Sequence, residues 1–455
     1  MLLAAALCFL VLLLATCTAH RGDGGDELVA NGSFALDEAQ GFPPAWQPWL
    51  PEWEQARCTL RPVADGLLVE GPGRPYAVGG AQQLIEGIEG GRAYHVGALA
   101  DLREIAFPSQ AVTIRLQWLS ADAPCHPAGM LARGPVMDGS AAHFDDVLFA
   151  PEDADRVRLS LEVRWPRGGS VLWRRVSLFA TQAPPARKVK VGTVYLRPSR
   201  STPERNMELW CEQVAAAGRL GLDIVCLSEA ILQVGTGTGP EAVAKTIPGP
   251  DTERLGAVAA QHGIWVVAGL SELDGNALCN TAVLIDRQGR LTGKYRKVHL
   301  PREEWRMGVC PGDEYPVFAT DLGAIAIQIC YDWFFPEVAS LYALKGAEII
   351  FAPTWGTTFP DRDGTVEGET VFRVRARDNG VFMVPSVYDG SSMVIDPLGR
   401  ILASNGGKTG VFWAEVELGR REPLPWVGHW GSIGPRDRMP HTYGRLLGAD
   451  REPGA

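Results

Sequence analysis

One boundary constrains this chain more than any other feature. At Ala183-Pro184-Pro185-Ala186-Arg187 the residue pattern changes from one grammar to another. Two adjacent prolines remove backbone donors and fix φ, so neither a helix nor a central strand runs through them. Before this point, short stretches alternate apolar and polar residues between turns, as in Ala111-Val112-Thr113-Ile114-Arg115-Leu116 and Val157-Arg158-Leu159-Ser160-Leu161-Glu162-Val163. That period of two, with no convincing amphipathic helix, predicts an all-β sandwich over residues 27–182. Beyond the prolines, strands alternate with helices. Strands are expected at 190–196, 222–227, 265–270, 324–329, 348–352 and 381–386, and helices at 203–214, 252–261, 336–344 and 369–377. Hairpins are expected at 282–286 with 291–298 and at 392–395 with 411–416. Such alternation predicts an α/β layered domain over 188–420, with a C-terminal extension at 421–455.

The 455 residues carry a formal net charge of -10 and a pI near 5.4, which argues against a broad nucleic-acid surface. The eight histidines are scattered and form no ligand-spaced cluster. Residues 2–15 are almost wholly apolar. The run falls short of the roughly 20 residues that span a bilayer and fits the core of an export signal over residues 1–20. Leu14-Ala15-Thr16-Cys17 has the form of a loose lipoprotein box, in which Cys17 would be acylated. Cleavage after Ala19 and an uncleaved anchor are the competing readings. The expectation is an exported protein (periplasmic, extracellular or a lipoprotein on a membrane surface), with membrane attachment through the N-terminus left open.

Three residues at strand ends carry the chemistry. Glu229 follows the 222–227 strand, Lys297 lies in Tyr295-Arg296-Lys297-Val298-His299-Leu300-Pro301, and Cys330 stands between a strand and a helix. A helix N-terminus favours a thiolate, so this position predicts a lowered thiol pKa. A carboxylate can move the thiol proton, and a lysine with the backbone amide of Tyr331 can hold an oxyanion. Together they make a nucleophile, a base and an electrostatic clamp, the equipment of acyl transfer. Each residue also has a bland reading, as a core thiol, a cap or a solvated lysine.

The surrounding words favour the sharper reading. Leu227-Ser228-Glu229, the lysine motif, Pro311-Gly312-Asp313, Ile329-Cys330-Tyr331-Asp332-Trp333-Phe334-Phe335-Pro336-Glu337, Ala352-Pro353-Thr354-Trp355 and Arg375-Ala376-Arg377-Asp378-Asn379 occur in order. Over residues 188–418 the sequence resembles the nitrilase superfamily of carbon-nitrogen hydrolases. The resemblance implies a four-layer αββα sandwich, a Glu229, Lys297 and Cys330 trio, a covalent intermediate on Cys330, and release of ammonia or an amine. It also implies that no metal or organic cofactor is needed, consistent with the scattered histidines, and it implies a second glutamate. Glu303 and Glu304 are both candidates, and Glu304 is favoured because it lies nearer Pro311. Trp333 and Trp355 are candidates for pocket walls, with burial in the core as the alternative. The glycine-rich stretch 233–245 is expected to border the pocket. Two departures bear on the pocket's shape: Ser228 stands where proline is usual, and Asp378 where glutamate is usual. The expected substrate is a small amide or N-carbamoyl amine. Nitrile hydrolysis, acyl transfer to an amine, and a non-catalytic surface-attached binding protein are the alternatives.

Leu28-Val29-Ala30-Asn31-Gly32-Ser33-Phe34 and Val171-Leu172-Trp173-Arg174-Arg175-Val176-Ser177-Leu178, with Trp46 and Tyr94, resemble jelly-roll modules of the carbohydrate-binding, galactose-binding-like type. Trp46, Trp49 and Trp53 lie in one early loop, where exposed aromatics would offer a stacking surface to a glycan; a spacer role is the rival reading. Asn31-Gly32-Ser33 matches a glycosylation acceptor, read here as a coincidence of the strand start. Cys58 and Cys125 are the only cysteines of this module and could pair in an exported protein. The family resemblance makes residues 426–447, with Trp430, Arg436, Arg438 and Tyr443, a candidate subunit-contact arm of a homo-oligomer.

Overall fold

The computed structural model describes residues 25–36, 41–121, 123–125, 129–356, 367–419, 423–424, 428–429, 434 and 436–447. The export signal and Trp426 and Trp430 of the proposed arm lie outside them. The chain forms two compact units: Ala186–Glu422, and a unit that combines Met1–Pro185 with Pro423–Ala455.

The first unit is a sandwich of two antiparallel six-stranded sheets. In one, Val78–Glu86 and Val112–Ser120 flank Arg156–Arg164; in the other, Gly66–Glu70 and Ala93–Arg103 flank Ser170–Thr181. Alternate residues of both sheets, among them Val96, Leu116, Trp118, Leu159 and Trp173, meet in a single core. Trp46 belongs to that core, and its indole N–H donates to the Asn31 carbonyl at 3.1 Å. Trp49 is half-buried, and Trp53 is 60% exposed and stacked on Tyr76 at 5.3 Å. Asn31 adopts φ +54°, and its side chain bonds the Ala35 N–H and the carbonyls of Ala35 and Pro44, which ties up the acceptor motif in a turn.

Cys58 and Cys125 do not pair; both are free thiols. Cys58 bonds alongside Val78, and Cys125 alongside Trp118. Those residues lie two strands apart across Arg156–Arg164 and near its opposite ends. At about 4.8 Å per strand, that separation exceeds the roughly 7 Å Cα limit for a disulfide. The described tail packs on this same unit. The Arg164 guanidinium donates to the Gln110 carbonyl, to Asp437 at 2.8 Å and to the Arg436 carbonyl, while the Gln110 amide donates to the Arg438 carbonyl.

Elements of the second unit are numbered within it. The strands of its first sheet are β1 (Arg187–Tyr195), β2 (Ile224–Cys226), β3 (Trp265–Asp274), β4 (Ala277–Ile285), β5 (Leu291–Arg296) and the short β6 (Val309–Cys310). The second sheet holds β7 (Val317–Ala319), β8 (Ala324–Ile327), β9 (Ile349–Gly356), β10 (Phe382–Asp389), β11 (Met393–Ile395) and β12 (Ile401–Ser404). The last strand, β13 (Gly410–Leu418), joins the first sheet beside β1, giving the order β5-β4-β3-β2-β1-β13 with β6 on β4. The expected last hairpin is therefore corrected. β11 pairs with β12, and β13 returns to the opposite sheet, where it satisfies the otherwise open edge of β1.

Helices α1 (Pro203–Arg219) and α2 (Pro250–His262) cover the first sheet. Thr202 caps α1 by accepting from the Arg205 N–H, and Met207, Trp210 and Val214 form its buried face. The short α3 (Arg302–Arg306) follows β5, while α4 (Pro336–Leu344) and α5 (Glu367–Asn379) cover the second sheet. Three apolar cores separate the layers. Val225, Val266 and Val283 face the α1 and α2 side; Ile224, Val267, Ala282, Ile325 and Phe351 fill the space between sheets; Ala326, Ile350 and Met383 face α4 and α5. Successive strand residues alternate between cores, which is the signature of an αββα sandwich.

Candidate active site

The chain leaves β2 at Cys226 and turns so that Glu229 and Ala230 sit above the sheet, with Ala230 at φ +46°. Gly269 of β3 makes room. A Cβ there would stand 2.6 Å from the Glu229 Cα, so any side chain would push the turn out of place. The turn is pinned by the Gly269 N–H donating to the Ser228 carbonyl and by the Tyr388 hydroxyl donating to the Glu229 carbonyl at 2.7 Å. Ser228, in place of the usual proline, shares a hydrogen bond of 2.8 Å with Ser386, whose own hydroxyl reaches the Val194 carbonyl; the departure is absorbed in a buried network.

The Glu229 side chain is buried and fully engaged. One oxygen accepts from Lys297 Nζ at 2.9 Å and from Asn280 Nδ2 at 2.7 Å, and the other accepts from the Trp355 N–H at 2.7 Å. Lys297 has no exposure and also donates to Glu304 at 2.5 Å. Burial alone would pull the Lys297 ammonium down, but the charges of Glu229, Cys330 and Glu304 outweigh it and hold it above the usual lysine range. Glu304 is raised by burial and by the charge of Glu229, against the pull of Lys297. The helix α3 presents Glu304 inward and leaves Glu303 exposed, which separates the two adjacent candidates.

Cys330 follows β8 at φ +42°, a left-handed conformation unusual for a residue with a side chain and a mark of a strained elbow. The charges of Glu229 and Lys297 act on its thiol in opposite senses. The expected lowering of its pKa is corrected. Burial and the charge of Glu229 push the thiol up to about 12, against Lys297 and the Trp355 N–H. The physical reason lies in the elbow: Cys330–Phe334 forms a 3-10 turn, and α4 begins only at Pro336, so no α-helix N-terminus stands at the sulfur. Trp333 is also corrected. It is 3% exposed and packs on Phe334 and Phe372 in the core beneath α4 and α5. Trp355 is 37% exposed and stands edge-on to Tyr388, and Tyr331 is half-buried against Phe334 and Phe335. The 233–245 stretch sends Val234 and Val243 into the α1 and α2 core.

Residue-by-residue reading missed the groups that align the trio. The fully buried Asp332 accepts from the Tyr295 hydroxyl, the Ile329 N–H, and both the N–H and the Nδ1 of His299. It thereby ties the cysteine elbow to the segment carrying Lys297. Asn280 bridges Glu229 and Glu304. A signal for Asp332, Tyr295 and His299 was present, since all three lie inside the two motifs; Asn280 offered none.

A thiol, a carboxylate and a buried ammonium are the groups that cysteine acyl transfer requires. Residues 190–425 match the family described as Carbon-nitrogen hydrolase. The chain is similar to omega-amidase NIT2 of Xenopus tropicalis, 32% identical over 233 residues that cover 47% of this chain and 83% of that protein. It is likewise similar to a nitrilase of Pyrococcus abyssi, 32% identical over 248 residues, covering 50% and 90%. Among solved structures, Saccharomyces cerevisiae Nit3, a member of branch 10 of the nitrilase superfamily, aligns with TM-score 0.46 and 26% identity over 51% of this chain and 90% of that one. The chain belongs to the carbon-nitrogen hydrolase family and is an enzyme of the amidase and nitrilase type that works through a cysteine nucleophile.

Proposed function

We propose that Cys330 is the nucleophile and that the substrate is a small amide or N-carbamoyl amine. The observation that carries this reading is the buried Glu229–Lys297 pair at 2.9 Å, whose charges both act on the Cys330 thiol. In the first half-reaction the thiol proton passes to Glu229 as Sγ bonds to the carbonyl carbon. Lys297 and the Tyr331 N–H stabilise the oxyanion, and Glu229 returns the proton to the departing nitrogen as the C–N bond breaks. Water then gives a proton to Glu229, attacks the thioester and restores the thiol. Glu304 acts by holding Lys297 in place. The relatives named omega-amidases favour an amide over a nitrile. The test is ammonia release from amides, carbamoyl amines and nitriles, with and without an added amine acceptor. Wild type should turn over amides and C330A should lose at least about 10³-fold; retained turnover in C330A overturns the assignment.

We further propose that the protein is exported, which the apolar run at residues 2–15 supports, and homo-oligomeric, which the family resemblance supports. Among the described residues no helix is long and apolar enough to cross a membrane. For the first unit, a jelly-roll-like glycan-binding role is supported by the exposed Trp53 ring against Tyr76. Glycan-array binding that W53A abolishes is the expected result; equal binding by W53A removes this role.

A further inference from the structure

Cys279 and Cys310 are direct partners in the parallel ladder between β4 and β6. Partners in a ladder project from the same face of the sheet, and adjacent strands lie about 4.8 Å apart, inside the Cα window of roughly 4.4–6.8 Å for a disulfide. No other two described cysteines face each other across strands, and all seven are free thiols here. Cys279 is 3% exposed, whereas Cys310 is open to solvent. One partner is therefore accessible to a reagent and the other is shielded behind it.

The position of the pair matters for the site. Asn280, next to Cys279, turns to the inter-sheet side and bonds Glu229 and Glu304. Cys310 closes the segment that runs from Lys297 through α3 and Glu304. Among the described residues, β6 pairs the far end of that segment with β4, and the Gly312 N–H ties it back to the Lys297 carbonyl. A covalent bond here would close a loop around the lysine and the second glutamate while leaving the inter-sheet face untouched.

We infer that Cys279 and Cys310 are a reversible redox staple, oxidised by thiol-disulfide exchange with a small-molecule disulfide. The Cys310 thiolate attacks one sulfur of the donor, forming a mixed disulfide and releasing one donor thiol that takes up the Cys310 proton. The Cys279 sulfur then attacks Cys310 Sγ, the mixed bond breaks, and the second donor thiol leaves with the Cys279 proton. Two protein thiols are oxidised and one donor disulfide is reduced. The bond restrains the unfolded chain between residues 279 and 310 and so stabilises the fold around the site.

The test uses the full chain carrying C330A, so that the site cysteine consumes no reagent and the outcome is independent of the proposed activity. Oxidised glutathione is the probe. Peptide mapping should find one linked 279–310 peptide two hydrogens lighter than the free pair. The melting temperature of the hydrolase unit should rise by about 5 °C and fall back with dithiothreitol. The additional substitution C310S should abolish both changes. A glutathione adduct that stays on Cys310, or a mapped bond that shifts the melting temperature by less than about 1 °C, overturns the inference.

Discussion

Adjacent residues on a helix point about 100° apart, so only one of two neighbouring glutamates can meet a given lysine. Here it is Glu304 that meets Lys297, with Glu303 in solvent. Glu304→Gln should lower kcat/KM by about 10²-fold or more, because the neutral amide cannot hold the ammonium as firmly, while Glu303→Gln should stay within about twofold. Equal losses from the two would show that helix phase does not assign the role. The thiol pushed up to about 12 leads to a second expectation. At neutral pH Cys330 holds its proton until attack, so alkylation of the free enzyme should speed up about tenfold per pH unit from 6 to 9 with no plateau. A plateau below pH 9 would reveal a standing thiolate. The trio was legible in sequence because each member sits in a distinctive word. The phase of α3, the burial of the thiol and the 3-10 geometry after Cys330 were not, because they depend on what packs around the segment.

At the scale of elements, β3, β4 and β5 are joined on their outer face by Glu272. Its carboxylate accepts from Arg296, Lys294 and Thr281. Burial pushes this carboxyl up, but the hydrogen bonds from Arg296, Lys294 and Thr281 outweigh it and bring it down to about 2. A carboxylate with a depressed folded pKa contributes stability above its ordinary value near 4.5 and loses it as pH falls toward 2. Glu272→Gln should therefore cost on the order of 2–3 kcal/mol at pH 7 in urea unfolding, and should flatten the decline between pH 4.5 and 2. An unchanged acid limb would refute the assignment. Elements joined by local signals, such as α1 with its Thr202 cap and α4 from Pro336 to Leu344, were readable directly. The partner of β13 was not. Its alternating pattern fits any sheet edge, and only the open side of β1, more than 200 residues earlier, selects it.

At the scale of the whole molecule, the chain divides at Pro185 and returns at its end to the first unit, a return that no pattern in the sequence signalled. Every site residue lies within Ala186–Glu422, and the described tail bonds to the β-sandwich of the other unit. A chain stopped after Gly419 keeps β13 and the complete site, but deprives Arg164 of Asp437 and of the Arg436 carbonyl. Charge-assisted hydrogen bonds of this kind are each worth about 1.5–3 kcal/mol. The truncated chain should therefore show the sandwich melting about 5 °C lower in calorimetry, with the hydrolase transition and kcat/KM unchanged. A subunit-contact arm would behave differently: truncation would halve the mass seen by light scattering and leave the melting of the sandwich in place. The two outcomes separate a tail that completes its own chain's β-sandwich from one that reaches a neighbour.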